Sequence, residues 1–170
     1  AEEKDISKRF FMLLHRFLKR KYKTVDVLFV SHHSTASEVS EEDFFYGKET
    51  GGTTVSTAIE KTNEILAARY PTNDWNIYCA QSSDGDNSGN DDTRLTHQMN
   101  NLLAIAQYFA YIEVYGSNLT PEMVMRTSSV WSAYEKLSED HQNLSMRKVF
   151  GKEGIWPVFN DLFSKERNSK

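Results

Sequence analysis

Apolar residues at Ile6, Phe10, Leu13, Leu14, Phe17 and Leu18 recur at helical spacing between charged neighbours, which predicts an amphipathic helix from Lys4 to Tyr22. The run Val25-Asp26-Val27-Leu28-Phe29-Val30 is rich in β-branched residues and ends in polar Ser31-His32-His33. That is the pattern of a strand buried on both faces, and so of a parallel sheet. Between Ala36 and Tyr46 acidic residues surround Val39, Phe44 and Phe45, which fits a short edge strand or a turn. Val55, Ala58, Ile59, Ile65 and Leu66 form a second helical face, running to about Tyr70 and stopped by Pro71. Trp75 to Ala80 reads as a strand, Leu95 to Gln107 as a helix and Phe109 to Tyr115 as another strand. Thr120-Pro121-Glu122 sets a cap, a first-turn proline and an acidic residue in order. It predicts a helix to about Ser138 on Val124, Val130, Trp131, Tyr134 and Leu137. A strand near Leu144 to Val149 and a helix from about Lys152 to Lys165, interrupted early by Pro157, close the chain.

Helices and strands that keep trading places imply an α/β fold with a three-layer, doubly wound, mostly parallel sheet, in one domain over residues 1–170. Such folds open on a strand, whereas a helix comes first here, so a central strand is expected to be missing from this stretch of chain. Its loss should leave two flanking strands with unpaired backbone groups. They would either close on each other or pair with another copy, giving a homo-oligomer.

The 170 residues, 39% hydrophobic and 26% charged, are those of an ordinary globular chain and not of a disordered one. No stretch approaches the roughly eighteen apolar residues of a membrane helix, and Ala1-Glu2-Glu3-Lys4 has no signal-peptide layout. The single cysteine, Cys79, lies in an apolar run, which implies a buried thiol in a reducing, cytoplasmic compartment. A net charge of −4 argues against nucleic acid as the main ligand. The basic cluster Arg16, Lys19, Arg20, Lys21 and Lys23 reads as the solvated face of a helix.

In an open parallel sheet, ligands gather outside the carboxyl ends of the strands. Two loops qualify. Ala80-Gln81-Ser82-Ser83-Asp84-Gly85-Asp86 follows a predicted strand, and Gly51-Gly52-Thr53-Thr54 opens the helix that begins near Val55. Carboxylate and hydroxyl oxygens suit Mg²⁺, Ca²⁺ or Mn²⁺, although a threonine before a helix is more often a cap and Asp-Gly more often a turn.

In combination, a Gly-x-Thr loop entering a helix and a later buried strand ending in Ser-Asp-Gly resemble the second and third loops of a von Willebrand factor A domain. On that resemblance Thr53 and Asp84 match the threonine and aspartate of its metal-ion-dependent adhesion site. Phe10-Phe11-Met12-Leu13-Leu14, Phe44-Phe45-Tyr46, Glu49-Thr50-Gly51-Gly52-Thr53, Trp75-Asn76-Ile77-Tyr78, Ser83-Asp84-Gly85-Asp86-Asn87 and Pro157-Val158-Phe159 further resemble the bacterial YeaH/YhbH family of stress and sporulation proteins, over nearly the whole chain. The resemblance implies a non-enzymatic module that binds a protein, linked to a PrkA-type serine kinase in stress responses; charge and hydropathy set aside nucleic acid and membrane as partners.

The first adhesion-site loop, Asp-x-Ser-x-Ser, is missing: Asp5-Ile6-Ser7 continues to Arg9 and Asp86-Asn87-Ser88 to Asn90. Thr53 and Asp84 supply only two protein ligands for a near-octahedral Mg²⁺, so this stretch is expected to bind metal poorly. A calcium loop beginning at Asp84 fails because Leu95 stands at its glutamate position. The alternative function is a metal-dependent hydrolase built from His32, His33, Asp84, Asp86, Asp91, Asp92 and His97. Adjacent histidines on an extended chain point to opposite sides, which weighs against it. Cys79 has no nucleophile motif around it.

Overall fold

A computed structural model of the chain describes residues 2–32, 35–47 and 54–168, with side chains as far as Phe163. The first helix, α1 (Glu2–Lys21), carries Glu2, Glu3 and Asp5 in its first turn and Lys19, Arg20 and Lys21 in its last, so both ends complement the helix dipole. The basic cluster is largely this last turn. Arg16, Lys19, Arg20 and Lys23 are exposed, and the Lys21 ammonium lies over the rings of Phe17 and Tyr22.

After α1 the chain makes a hairpin, β1 (Phe29–His32) and β2 (Ala36–Val39), which pair antiparallel with Phe29 opposite Val39. The expected two-faced burial and parallel pairing are therefore corrected: only Ser31 of β1 is buried, and the Val25 to Leu28 run lies outside the strand. The segment from Ala36 to Tyr46 divides into β2 and a short helix, α2 (Glu41–Tyr46), capped by the Ser40 hydroxyl, which accepts the Asp43 N–H. Sequence reasoning missed that helix because its apolar side chains, Phe44 and Phe45, serve a ring cluster with Phe29, Phe11 and His15.

The remaining elements alternate as expected: α3 (Val55–Arg69), β3 (Tyr78–Ser83), α4 (Asp92–Ile105), β4 (Tyr108–Tyr115), α5 (Ser129–Asp140), β5 (Leu144–Phe150) and α6 (Ile155–Asn168). Strands β3, β4 and β5 form a parallel sheet in that order, Tyr78 opposite Tyr108 and Phe109 opposite Leu144. Strand β3 starts three residues later than predicted because Trp75 belongs to the preceding turn. Its N–H bonds to Pro71 O, and its ring packs edge-on against Tyr70. The helix expected from Thr120 is only a single 3₁₀ turn, Pro121–Met123; α5 starts at Ser129, where Ser128 caps it. Pro157 falls in the first turn of α6, where its missing N–H costs nothing.

Helices cover both faces of this sheet. Ala110, Ile112 and Val114 meet Ile6, Phe10 and Leu14 of α1 and Phe159, Leu162 and Phe163 of α6. On the opposite face Phe109 and Tyr111 meet Val55 and Ile59 of α3, Leu95 and Met99 of α4, and Val130 and Tyr134 of α5. The arrangement, a three-stranded parallel sheet flanked by helices, is consistent with the expected doubly wound α/β fold, and the hairpin forms a separate two-stranded sheet. Among the described residues, no helix is long and apolar enough to cross a membrane.

Cys79 sits on β3, partly buried, and desolvation pushes its thiol up to about 12. The unfolded thiol ionises first as pH rises, so the contribution of this group is complete below about pH 9 and is lost as pH approaches 12. The urea midpoint of the wild type should therefore fall relative to Cys79→Ala across that interval. Parallel curves would contradict the burial.

Candidate functional site

The carboxyl ends of β3 and β4 and the first turns of α3, α4 and α5 meet at one rim. The loop from Ser83 to Asp91 crosses this rim and is held from both sides. Asn87 Oδ1 accepts the N–H of Val55 at 2.9 Å, while the buried Asp91 carboxylate accepts the Ser56 N–H at 2.9 Å and its hydroxyl at 2.5 Å. Thr54, the residue before α3, does not cap the helix; its hydroxyl instead meets Ser88 Oγ at 3.1 Å. The orphan N–H groups that open α3 are thus satisfied by a loop some thirty residues away, an arrangement invisible to local capping rules.

Beneath the loop lies Glu113, fully buried on β4. Tyr111 donates to its Oε2 at 2.8 Å and Ser128 to the same oxygen at 2.6 Å, and Tyr115 donates to Oε1. Because the Tyr111 proton goes to Glu113, Ser83 must donate to Tyr111 across their 2.7 Å contact, and Ser83 Oγ in turn accepts the Gly85 N–H at 3.0 Å. A continuous relay therefore runs from the loop backbone into the carboxylate, each bond polarising the next. Burial raises the Tyr111 hydroxyl above its ordinary pKa, with the Glu113 charge adding to it, and Tyr115 rises for the same reasons. Tyr134 is raised by burial too, and donates to Gln81 Oε1 at 2.6 Å.

Asp84 stands above this layer, exposed, its Oδ1 accepting the Asp86 N–H at 3.0 Å. Gly85 follows with φ of 92°, and its carbonyl accepts the Val130 N–H at 3.1 Å, joining the loop to the first turn of α5. The connection that leads into α5 carries Met123 and Met125, exposed at 58% and 89%. The carboxylate and the two exposed methionines thus lie on connections that leave the carboxyl ends of β3 and β4, and in the layer beneath them Glu113 is hydrogen-bonded through both oxygens while Asn87 Nδ2 is buried without a hydrogen-bond partner among the described residues.

Of the residues singled out in the sequence, Asp84 is at this rim, and Thr53 and His33 lie outside the described residues. His32 reaches the first turn of α3, its Nε2 meeting the Thr57 hydroxyl at 2.8 Å. His97 and Asp92 are exposed on α4, and Asp91 is spent on Ser56. Among the described residues no group of three or more histidine, cysteine, aspartate or glutamate side chains is placed to hold a metal ion. Glu113, Ser128 and Asn87 were not anticipated as members of this network. The signal for Glu113 was present as a lone charge in the apolar run Tyr108 to Tyr115.

A profile for a family described as protein of unknown function (DUF444) matches residues 1–166. A UPF0229 protein of Vibrio vulnificus strain YJ016 is 47% identical over 164 residues, which is 96% of this chain and 37% of that protein. One from Saccharophagus degradans is 46% identical over 166 residues, with 96% and 37% covered. Another, from Bradyrhizobium diazoefficiens, is 46% identical over 169 residues, with 98% and 39% covered. The chain therefore spans well under half the length of these curated relatives.

Proposed function

The chain belongs to the DUF444 family of proteins of unknown function, and we propose that it acts as a non-enzymatic protein-binding module of the von Willebrand factor A type within a longer bacterial stress-response protein. The observation that carries this reading is exposed Asp84 on a loop anchored at both ends, together with exposed Met123 and Met125 on the connection that leads into α5. Methionines left in solvent and a positioned charge both suit a protein surface, because flexible thioethers adapt to a partner while the charge fixes register. A PrkA-type serine kinase is the partner to try first, on the family resemblance.

The donor chemistry of Asp84 fits a hard divalent cation, Mg²⁺ or another, with Thr53 as the second protein ligand and water completing the set. When bound, such an ion offers a coordination position to a carboxylate of the partner. Asp84 supplies its charge, and the contacts from Gly85 to Ser83 and Val130 hold the loop in place for it.

The test uses the full-length protein, with the kinase immobilised and binding followed in Mg²⁺ and in EDTA. Asp84→Ala and EDTA should each weaken capture at least about tenfold, a loss of roughly 1.4 kcal/mol. Calorimetric titration with Mn²⁺ should show a matching loss in the variant. Metal-dependent phosphatase turnover that disappears with Asp84→Ala would replace this reading with the hydrolase.

A further inference from the structure

Helices α3 and α4 both start at the carboxyl rim and lie side by side. Asn63 Nδ2 ties them, donating to Gln98 O at 3.0 Å and to Gln98 Oε1 at 2.9 Å, and the Arg94–Glu60 pair does so nearer the rim. Their last turns therefore finish together at the opposite end of the sheet, where they and the turn after α3 border an open cleft of about 380 Å³. Clefts that hold small molecules begin at roughly 300 Å³, so this one has room for a single ring with its substituents.

The floor of the cleft is apolar, made by Leu66 and Ala67 of α3 and Ile105 of α4. Its edge carries Thr72, Asn73 and Asn101, all exposed, and no side-chain hydrogen bond joins these three to another described residue. The wall beside them is fixed. Pro71 O accepts the N–H groups of Asp74 and Trp75 at 3.0 and 3.1 Å, and the Tyr70 hydroxyl donates to Asp26 Oδ2 at 3.2 Å. A cleft whose walls are already braced spends little of its binding energy on ordering itself.

Charge narrows the choice of ligand. None of the described residues that line the cleft is charged, in a chain where 26% are. Arg69, the neighbour of Tyr70, is already paired with Glu38. Two helices also end here, and their carboxyl-terminal ends carry the negative pole of the helix dipole, which opposes an anion. The ring of Tyr70 is engaged by the Arg69 guanidinium and by Trp75, which disfavours a flat aromatic ligand that needs a ring to stack on. A neutral ring bearing hydroxyls answers every feature. Hydroxyls both give and accept hydrogen bonds, as carboxamides do, and the C–H face of such a ring suits an aliphatic floor.

We propose that this cleft binds a neutral cyclic polyol of monosaccharide size, its C–H face on Leu66, Ala67 and Ile105 and its hydroxyls toward Thr72, Asn73 and Asn101. The site lies at the far end of the sheet from Asp84 and uses neither the cation nor the protein partner of the rim.

Saturation-transfer difference NMR on the full-length protein tests this with three probes, methyl β-D-glucopyranoside, methyl β-D-galactopyranoside and myo-inositol. At least one should receive saturation, with half-occupancy at roughly 1–10 mM, ordinary for so small a ligand. Ala67→Tyr fills the cleft and should abolish the signal. Asn101→Ala should weaken binding about three- to tenfold, the worth of one hydrogen bond, and because alanine is a good helix former its thermal midpoint should not fall. Should Ala67→Tyr fail to fold, Asn101→Ala decides alone. Glucose 6-phosphate should bind more weakly than the best neutral probe. Asp84→Ala and EDTA should change none of these results, so failure here and failure of the rim reading are told apart. Silence from all three probes up to about 50 mM, a signal that survives in a folded Ala67→Tyr, unchanged affinity in Asn101→Ala, or equal binding of the phosphate would each overturn the proposal.

Discussion

Glu113→Ala is expected to destabilise the protein by about 3–5 kcal/mol, with Glu113→Gln costing about 1–2 kcal/mol. Alanine removes the acceptor shared by Tyr111, Tyr115 and Ser128 and leaves three hydroxyls without it beneath the rim, along with a void where the side chain was. Each buried hydroxyl left unsatisfied costs on the order of 1 kcal/mol or more, and the void adds to this. Glutamine keeps the volume and one carbonyl oxygen, so part of the network persists. Urea unfolding followed by Trp131 fluorescence measures both, since that indole stands tilted against Tyr111, their ring centres 6.3 Å apart. A loss below 1 kcal/mol for the alanine variant would mean that the hydroxyls find other partners, and the carboxylate could not then be what organises the rim.

Much of the fold was legible because its longest patterns are decided locally. The stripe from Ile6 to Leu18 could only be a helix, and Tyr108 to Tyr115, apolar apart from Glu113, could only be a central strand. The errors fall where distant contacts overrule local signals. Thr120-Pro121-Glu122 carries a strong helix start, but α5 waits for Ser128, whose hydroxyl both caps Trp131 N–H and reaches Glu113 on β4. The apolar run before β1 suggested a parallel strand buried on both faces. Its neighbour is instead β2, paired antiparallel.

The candidate site was half legible for the same reason. The strand-end rule places Asp84 at the rim of a wound sheet, and the structure has it there, exposed at the end of β3. Nothing local could announce that Asn87 and Asp91, in the same loop, would cap α3, because that pairing needs the strand and helix already packed. Nor could the spacing of Phe109, Tyr111, Glu113 and Tyr115 on one face of β4 show which hydroxyls would converge on the one acid among them.

Gly85→Ala should be the most damaging small change at the rim, costing about 3–4 kcal/mol. The backbone there has φ of 92°, which an L-residue with a side chain adopts only with strain of roughly 1–2 kcal/mol. A methyl group would also lie 2.5 Å from the Ser128 side chain and 2.7 Å from Glu113 Oε2, too close for any real contact. The cheapest relief moves Ser128, which breaks the α5 cap, worth about 1 kcal/mol, together with a bond to Glu113. The two sites should therefore be coupled. Adding Ser128→Ala to Gly85→Ala ought to cost about 1 kcal/mol less than the two single losses summed, because the first substitution has already displaced the hydroxyl that the second removes. Strict additivity would show that the strain is confined to the backbone of Gly85, and that α5 is not what holds the Asp84 loop.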